Sequence, residues 1–540
     1  MKIYLIQPPI NDFYATEIRN IPLGLLSIGA QIKNHEVAIL DLRFGKSRGI
    51  NFPDIFSELK QYYKQDDRSP IGLYKNYYRF GYYVEEFENV IPKNIDVFGI
   101  SANFTTYSSN VIEIIEFLKE SRPNSKIVVG GHACASTPGY FLEKGADFEI
   151  YGEGEETFPQ LIDAIFKTQT DLSPIHNLIW YNDDEVIKNP KKMIDNLDLL
   201  EFADYTLPGT PEYQLGRKKH AMIMISRGCP NKCSFCSIHQ IMGHQYRTRS
   251  IENVLKEIDQ KIQQGFRSFD FEDDHFGGHK KWFNQFLDKV IERYSEYDLS
   301  FQSMNGITAT NLDESLLVKM KTAGFSSLNL ALVSENEVEQ CNLNRPFNTK
   351  RFTELVYLAK EHNFFITAYI ILGLPNHTIK QMLDSILFLT ELPVLIGPSF
   401  FYLVPNTPIF NQLKNHHQIP TDKQMFRSSY MPYETENFQR KDLITLFRIT
   451  RIVNFMKEIN YLEITPKYQI INSELKISEN LNGSEIRIQL GIALLELLNK
   501  TGKIYGIKKI QKNVYELREE VVNQDIVDIF LQKIDSLDLK

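Results

Sequence analysis

The chain of 540 residues is poor in cysteine, with five in all: Cys134, Cys229, Cys233, Cys236 and Cys341. That supply excludes the dense disulfide framework of small secreted domains. No apolar run approaches the roughly 20 residues of a bilayer span, so no membrane segment is expected. Basic charge is not in excess: the formal net charge is -8 and the pI near 5.9. A nucleic-acid-binding surface normally needs a basic patch, so nucleic acid is not an expected partner. The N-terminal MKIYLIQPPINDFY offers an apolar stretch too short for a signal sequence, and prolines stand where a small-residue cleavage site would be. No internal repeat, low-complexity tract or Gly/Ser linker stands out. What remains is a globular chain of a reducing, cytoplasmic compartment, suited to a small-molecule or peptide substrate.

The length exceeds one ordinary core, so two large domains and a smaller third region are expected. Apolar runs near residues 3-6, 36-40, 95-100, 126-129 and 147-151 alternate with helical patterns near 22-33, 106-120 and 155-166. This βα alternation over residues 1-166 predicts a doubly wound parallel sheet of Rossmann or flavodoxin type. A Tyr- and Phe-rich insertion at 43-94 interrupts it, and surface packing and a wall of a substrate pocket are both open roles. Residues 167-220 carry Pro174, Pro190, Pro208 and Pro211 and read as a connection. A second series follows over 221-424, with strands near 221-225, 268-272, 299-303, 327-333, 365-372 and 395-404 and helical patterns between them. Six βα units predict a partial (βα)6, TIM-like barrel. Residues 425-540 turn mainly helical and read as a cap. The fold class is α/β.

The segment AMIMISRGCPNKCSFCSIHQ places an apolar strand directly before Cys229, Cys233 and Cys236. In a βα barrel the loop after a strand lies at the mouth where active sites are built. Thiolates are the soft ligands of iron-sulfur clusters, and this spacing lets one loop hold three corners of a 4Fe-4S cube with one iron open. Structural zinc wants four closed ligands. His239 could supply a fourth, but zinc sites usually pair ligands across longer loops. Cys134 and Cys341 read as ordinary small side chains.

This CxxxCxxC, with Phe235 just before the last cysteine, resembles the signature of the radical S-adenosylmethionine (radical SAM) superfamily. The resemblance implies that the open iron chelates S-adenosylmethionine and that an electron cleaves this cofactor to a 5'-deoxyadenosyl radical. That electron would come from a donor such as flavodoxin or ferredoxin. On the same resemblance the strand end SFDFEDDHF, with Glu272 and Asp274, contacts S-adenosylmethionine, as does IILGLPNHT with Gly373 and Pro375. A solvated strand end and a plain turn are the alternatives. Relatives usually carry a glutamate followed by Ser-Gly after the fourth strand. Here the stretch is NLALVSENE, with Val333 in the place of the acid, Ser334 retained, and Glu335 or Asn336 as substitutes. Tyr402 and Pro405 read as pocket wall. His275, His279 and Tyr369 fall near the mouth and read as packing or surface.

The N-terminal segments IPLGLLSIGAQI, DVFGISANF, KIVVGGHA and DFEIYGEGEETF resemble, in that order, the cobalamin-binding domain that precedes the radical domain in one large subfamily. The resemblance places cobalamin over the carboxyl ends of the strands, beside Ser101, Gly130, Gly131, Gly152 and Glu153. A strand-to-helix turn is the alternative for Gly130 and Gly131, and a helix entry for GEGEE. The loop PPINDFYATE lacks the DxHxxG of carriers that ligate cobalt through histidine. Together these features read as a cobalamin-dependent radical methyltransferase acting on an unactivated carbon or phosphorus. A cyclase, rearrangement or dehydrogenation enzyme on the same scaffold and a non-catalytic cobalamin or redox sensor are the alternatives.

Overall fold

The computed structural model describes residues 1–14, 21–345, 347–415, 419–460, 462, 465–478 and 481–534. Residues 15–17 of the loop PPINDFYATE lie outside the described residues.

Five parallel strands form the centre of the N-terminal sheet, in the order Phe148–Ile150, Lys126–Gly130, Val97–Ser101, Lys2–Gln7, Glu36–Asp41. The hairpin Leu178–Asn182 and Glu185–Lys188 extends it antiparallel at the Phe148 edge. Successive side chains of a strand point to opposite faces. Val128 therefore packs with helices Leu23–Gln31 and Gly154–Phe166, while Val129 packs with helix Ser108–Ser121. Two separate apolar clusters result, one on each face, as a doubly wound sheet requires.

The aromatic insertion is neither loose nor superficial. It forms a small antiparallel sheet from Ile10–Asp12, Tyr77–Phe80 and Ser47–Ile50, with a 3-10 turn at Asp54–Gln61. Phe56, Tyr63 and Tyr77 are buried and belong to the same apolar cluster as the barrel and the C-terminal region. Tyr63 Oη donates to the Ser429 carbonyl at 2.8 Å, which fastens the insertion to the cap.

Six parallel barrel strands follow in two halves: Lys218–Ile223, Ser268–Phe271 and Ser300–Gln302, then Ser327–Val333, Phe365–Leu372 and Leu395–Phe400. A single parallel bridge, Phe301 to Phe325, joins the halves. At that seam Phe301 stacks on Phe269, Phe271 and Phe325, with ring centroids 5.5, 5.8 and 5.6 Å away. Buried rings thus replace a continuous hydrogen-bond ladder.

The C-terminal region is built on helices Arg440–Ile459, Gly483–Thr501 and Gln524–Ile534. It also holds a four-stranded antiparallel sheet of Tyr468–Ile471, Glu474–Ile477, Val514–Glu519 and Tyr505–Gln511, which the sequence analysis did not foresee. Helix Arg440–Ile459 lies against the last barrel strand, where Asn454 exchanges hydrogen bonds of 2.9 and 2.8 Å with the backbone of Ile396. Arg448 of this helix pairs with Glu520 at 2.7 Å, both side chains almost fully buried. No described helix is long and apolar enough to cross a membrane.

Candidate active site

The cysteine loop begins where strand Lys218–Ile223 ends, and Asp273 fixes its first residues. The Asp273 carboxylate accepts the Ile225 N–H at 3.3 Å and both the N–H and the hydroxyl of Ser226. Burial pushes this acid up to about 7, although the Ser226 bonds oppose the shift. Its neighbour Asp274 accepts the Gly228 N–H at 2.8 Å, and burial pushes it up to about 6. Gly228 has φ +80°, and a Cβ there would lie 2.3 Å from the Gln245 carbonyl oxygen, so only glycine permits the turn into Cys229.

Cys229 and Cys233 are buried and Cys236 is half-buried. Burial pushes the Cys229 thiol up to about 11, and the other two cysteines add to the shift. Burial also pushes Cys236 up, with a contribution from Cys233. The three sulfurs therefore lie within one another's field in a poorly solvated site. Such thiols become ligands only when a cation compensates the charge, which is the donor chemistry a 4Fe-4S cluster needs. Phe235 packs against the main apolar cluster. His239 stacks on His244, with centroids 4.9 Å apart and 9° between planes.

The sheet and the barrel meet through buried charge. Arg227, two residues before Cys229, reaches Glu153 at 2.8 Å and Glu155 at 2.5 Å. Arg247 reaches the second oxygen of Glu153 at 2.8 Å, and the Ile194 N–H donates to that oxygen at 2.8 Å. The Glu153 carboxylate is thus engaged on both oxygens at the domain junction. A Cβ on Gly152 would lie 2.6 Å from Asn177, whose amide donates to the Glu153 carbonyl at 3.2 Å. Gly152 therefore serves junction packing.

Ser101, Gly130 and Gly131 do stand together at the carboxyl edge of the sheet. Ser101 is opposite Gly130 in register. Gly131 has φ +123°, and a Cβ there would meet the Ala102 carbonyl oxygen at 2.8 Å. At Gly130 the nearest atom to such a Cβ is 3.6 Å away, so packing within the chain does not require glycine there. That open backbone fits a cofactor approaching the strand end. The next residue, His132, brings its Nε2 to 2.8 Å from Ser237 Oγ, beside Cys236. Burial lowers His132 to about 4, with Lys191 and His239 adding to the effect. Asn406, after the last barrel strand, donates to the Ser136 carbonyl at 2.7 Å, and Gln240 donates to the Pro405 carbonyl at 2.9 Å. The glycine loop, the cysteine loop and the sixth strand end thus form one connected rim.

The remaining expected residues divide. Glu272 Oε2 accepts from Asn305 at 2.7 Å. The Tyr402 phenol is raised, with contributions from Cys236 and Tyr14. Gly373 has φ +79° and is covered by Leu443 of the cap, 3.1 Å from a Cβ placed there; Pro375 beside it is half-buried. Ser334 is buried and its hydroxyl donates to Glu339. His279 caps helix Lys280–Tyr294, its Nδ1 accepting the Trp282 N–H at 3.1 Å. His275 lies 3.2 Å from the Thr308 hydroxyl. The Glu335 N–H donates to the Ser385 hydroxyl at 3.2 Å, and Asn336 caps helix Glu337–Asn342. Asp273 belongs to the acidic strand end that sequence reasoning places at the barrel mouth, whereas Arg227, Arg247, Glu339 and His377 were missed.

Residues 81–162 match the B12 binding domain family and residues 223–389 the radical SAM superfamily. An uncharacterized methyltransferase of Pyrococcus horikoshii is 24% identical over 403 residues, covering 73% of this chain and 79% of that protein. An anaerobic magnesium-protoporphyrin IX monomethyl ester cyclase of Synechocystis is 26% identical over 384 residues, covering 68% of each. The radical SAM methyltransferase TsrM from Kitasatospora setae, solved with tryptophan and a SAM analogue, superposes with a TM-score of 0.59 at 16% identity, over 81% of this chain and 84% of that one. A radical SAM domain carries a 4Fe-4S cluster and S-adenosylmethionine, and the N-terminal domain is of the kind that binds cobalamin. The chain is a radical SAM enzyme with a B12-binding domain ahead of its barrel.

Proposed function

We propose that this enzyme is a cobalamin-dependent radical methyltransferase acting on an unactivated carbon or phosphorus of a small-molecule or peptide substrate. The observation that carries this reading is the contact of His132 with Ser237 at 2.8 Å, which joins the glycine loop of the B12-binding domain to the cysteine loop. When bound, the cluster with S-adenosylmethionine supplies a carbon radical able to remove hydrogen, and methylcobalamin supplies a methyl group. Cys229, Cys233 and Cys236 hold the cluster. Phe235, Glu272, Asp274, Gly373 and Pro375 line the S-adenosylmethionine side. Ser101, Gly130 and Gly131 line the corrin side. Asp273 and Asp274 hold the cysteine loop to the second strand end, and Tyr402 is read as pocket wall.

The cyclase relative makes bond formation without methyl transfer the second reading. Protein purified without oxygen and reconstituted with iron, sulfide and hydroxocobalamin separates the two. With S-adenosylmethionine labelled in its methyl group, a flavodoxin or ferredoxin donor and a panel of small-molecule and peptide substrates, methyl transfer moves the label into product. Product without label, together with deoxyadenosine, would overturn methyl transfer and favour the cyclase class. Retained corrin without deoxyadenosine would point to a sensor.

A further inference from the structure

Val333 stands where the family resemblance expects a glutamate, and it holds φ +73° at a register shift in the pairing of strands Ser327–Val333 and Phe365–Leu372. A β-branched residue in that region is strained, so its surroundings impose the bend. The bend delivers Ser334, 1% exposed, to a dense set of bonds. Its hydroxyl donates to Glu339 Oε2 and accepts the Asn336 N–H at 3.1 Å, and its carbonyl accepts from Gln340 at 2.7 Å. The other carboxylate oxygen of Glu339 lies 2.6 Å from His377 Nε2, and the two side chains are 11% and 3% exposed. His377 belongs to the loop after the fifth strand, where its Nδ1 accepts the Leu374 N–H at 3.4 Å. Helix Glu337–Asn342 then runs to Leu343, whose carbonyl accepts the Ser234 N–H at 3.1 Å, between Cys233 and Cys236. Glu339 therefore ties the fourth strand end to the loop after the fifth strand, on a helix whose end is bonded to the cysteine loop. Burial alone would raise this acid, but His377 and the Ser334 hydroxyl hold it below the usual range, so it is a carboxylate.

We propose that Glu339, held by Ser334 and His377, is the positioning residue that does in this chain the work of the absent strand-four glutamate, fixing the walls around S-adenosylmethionine. The inference rests on the reading of this barrel mouth as the S-adenosylmethionine site. Both carboxylate oxygens are already engaged, so Glu339 acts through the two loops rather than by touching the cofactor. Its loss weakens binding of S-adenosylmethionine more than it slows the cleavage step.

The test uses full-length, reconstituted protein carrying Glu339→Ala, Glu339→Gln or His377→Asn. Three quantities are read: iron per chain, the change in the cluster's electron paramagnetic resonance as S-adenosylmethionine is titrated, and the KM and kcat of deoxyadenosine release. Removing a charge-assisted bond predicts that Glu339→Ala raises the apparent Kd and KM by about tenfold and Glu339→Gln by about threefold, with kcat at saturation within about twofold and iron unchanged. His377→Asn, which keeps a donor near the carboxylate, follows Glu339→Gln. Unaltered titration in Glu339→Ala overturns the proposal, as does loss of iron from all three variants, which would show a purely structural part. Wild-type protein that binds and cleaves S-adenosylmethionine but moves no methyl group would defeat the methyltransferase reading and leave this inference standing.

Discussion

Replacing Glu153 by Gln tests the domain junction directly. Glu153 is the only acid that both Arg227 and Arg247 contact among the described ion pairs, and its side chain is fully buried between theirs. The substitution keeps the shape and an acceptor for the Ile194 N–H but removes the charge. Arg227 retains Glu155, whereas Arg247 keeps only the carbonyls of Ile194 and Met242. Leaving one buried guanidinium without its counter-ion costs about 3–5 kcal/mol. Urea unfolding followed by tryptophan fluorescence reads the loss in both halves, because Trp180 lies in the N-terminal sheet and Trp282 on a barrel helix. Arg227 is two residues from Cys229, so iron per chain falls as well. The double variant Glu153→Gln, Arg247→Met restores the charge balance and recovers much of the stability. Wild-type stability and iron content in Glu153→Gln, with loss of corrin alone, would refute this reasoning and return Glu153 to the cofactor face.

Further outcomes follow from the same geometry. Gly130→Ala leaves the fold intact but weakens corrin retention, read from the visible absorbance after gel filtration, because its Cβ meets nothing closer than 3.6 Å in the chain. Gly131→Ala destabilises by about 1–3 kcal/mol in the same urea assay, since φ +123° and a contact of 2.8 Å to the Ala102 oxygen both oppose a side chain. His132 is held neutral by burial, with its folded pKa lowered to about 4 from 6.5. Below pH 6.5 the unfolded chain binds the proton and the folded one does not, so stability falls as pH drops from 6.5 to 4, by up to about 3 kcal/mol. His132→Gln flattens that acid limb of the melting temperature, and an unchanged limb would refute the assignment.

Much of the fold is legible because its signals are local. The strands at 327-333 and 365-372 read from apolar runs coincide with Ser327–Val333 and Phe365–Leu372, and the alternating burial of the second follows its Ile366, Ala368, Ile370, Leu372 series. The cysteine spacing is local too. The C-terminal sheet was hidden because ELKI and VYELRE are short and carry charge on alternate positions, so their apolar content is low. The partners of Arg227 lie 72 and 74 residues away, and no periodicity encodes such a pairing. Val333 shows the same limit. The sequence exposes the absence of an acid, but only the fold places Glu339 beside Ser334 and His377.

The aromatic insertion shows what a pattern without periodicity can mean. Phe13, fully buried, has ring centroids 5.2 Å from Phe52, 5.3 Å from Phe56 and Tyr63, and 4.8 Å from Tyr77, so four insertion rings surround one residue of the first loop. The adjacent Asp12 accepts from Tyr107 at 2.5 Å and Ser429 at 3.1 Å and pairs with Arg427 at 3.7 Å. The insertion is therefore a strut that joins the carboxyl edge of the N-terminal sheet to the cap. Phe13→Ala removes the shared ring and costs about 3–5 kcal/mol, whereas Phe13→Leu costs less because it fills more of the space. Limited proteolysis should then cut Phe13→Ala first within residues 43–94, while the Trp282 region of the barrel stays protected. Equal resistance of Phe13→Ala and the parent chain would show that the insertion holds itself together, with its contacts to the first loop adding nothing.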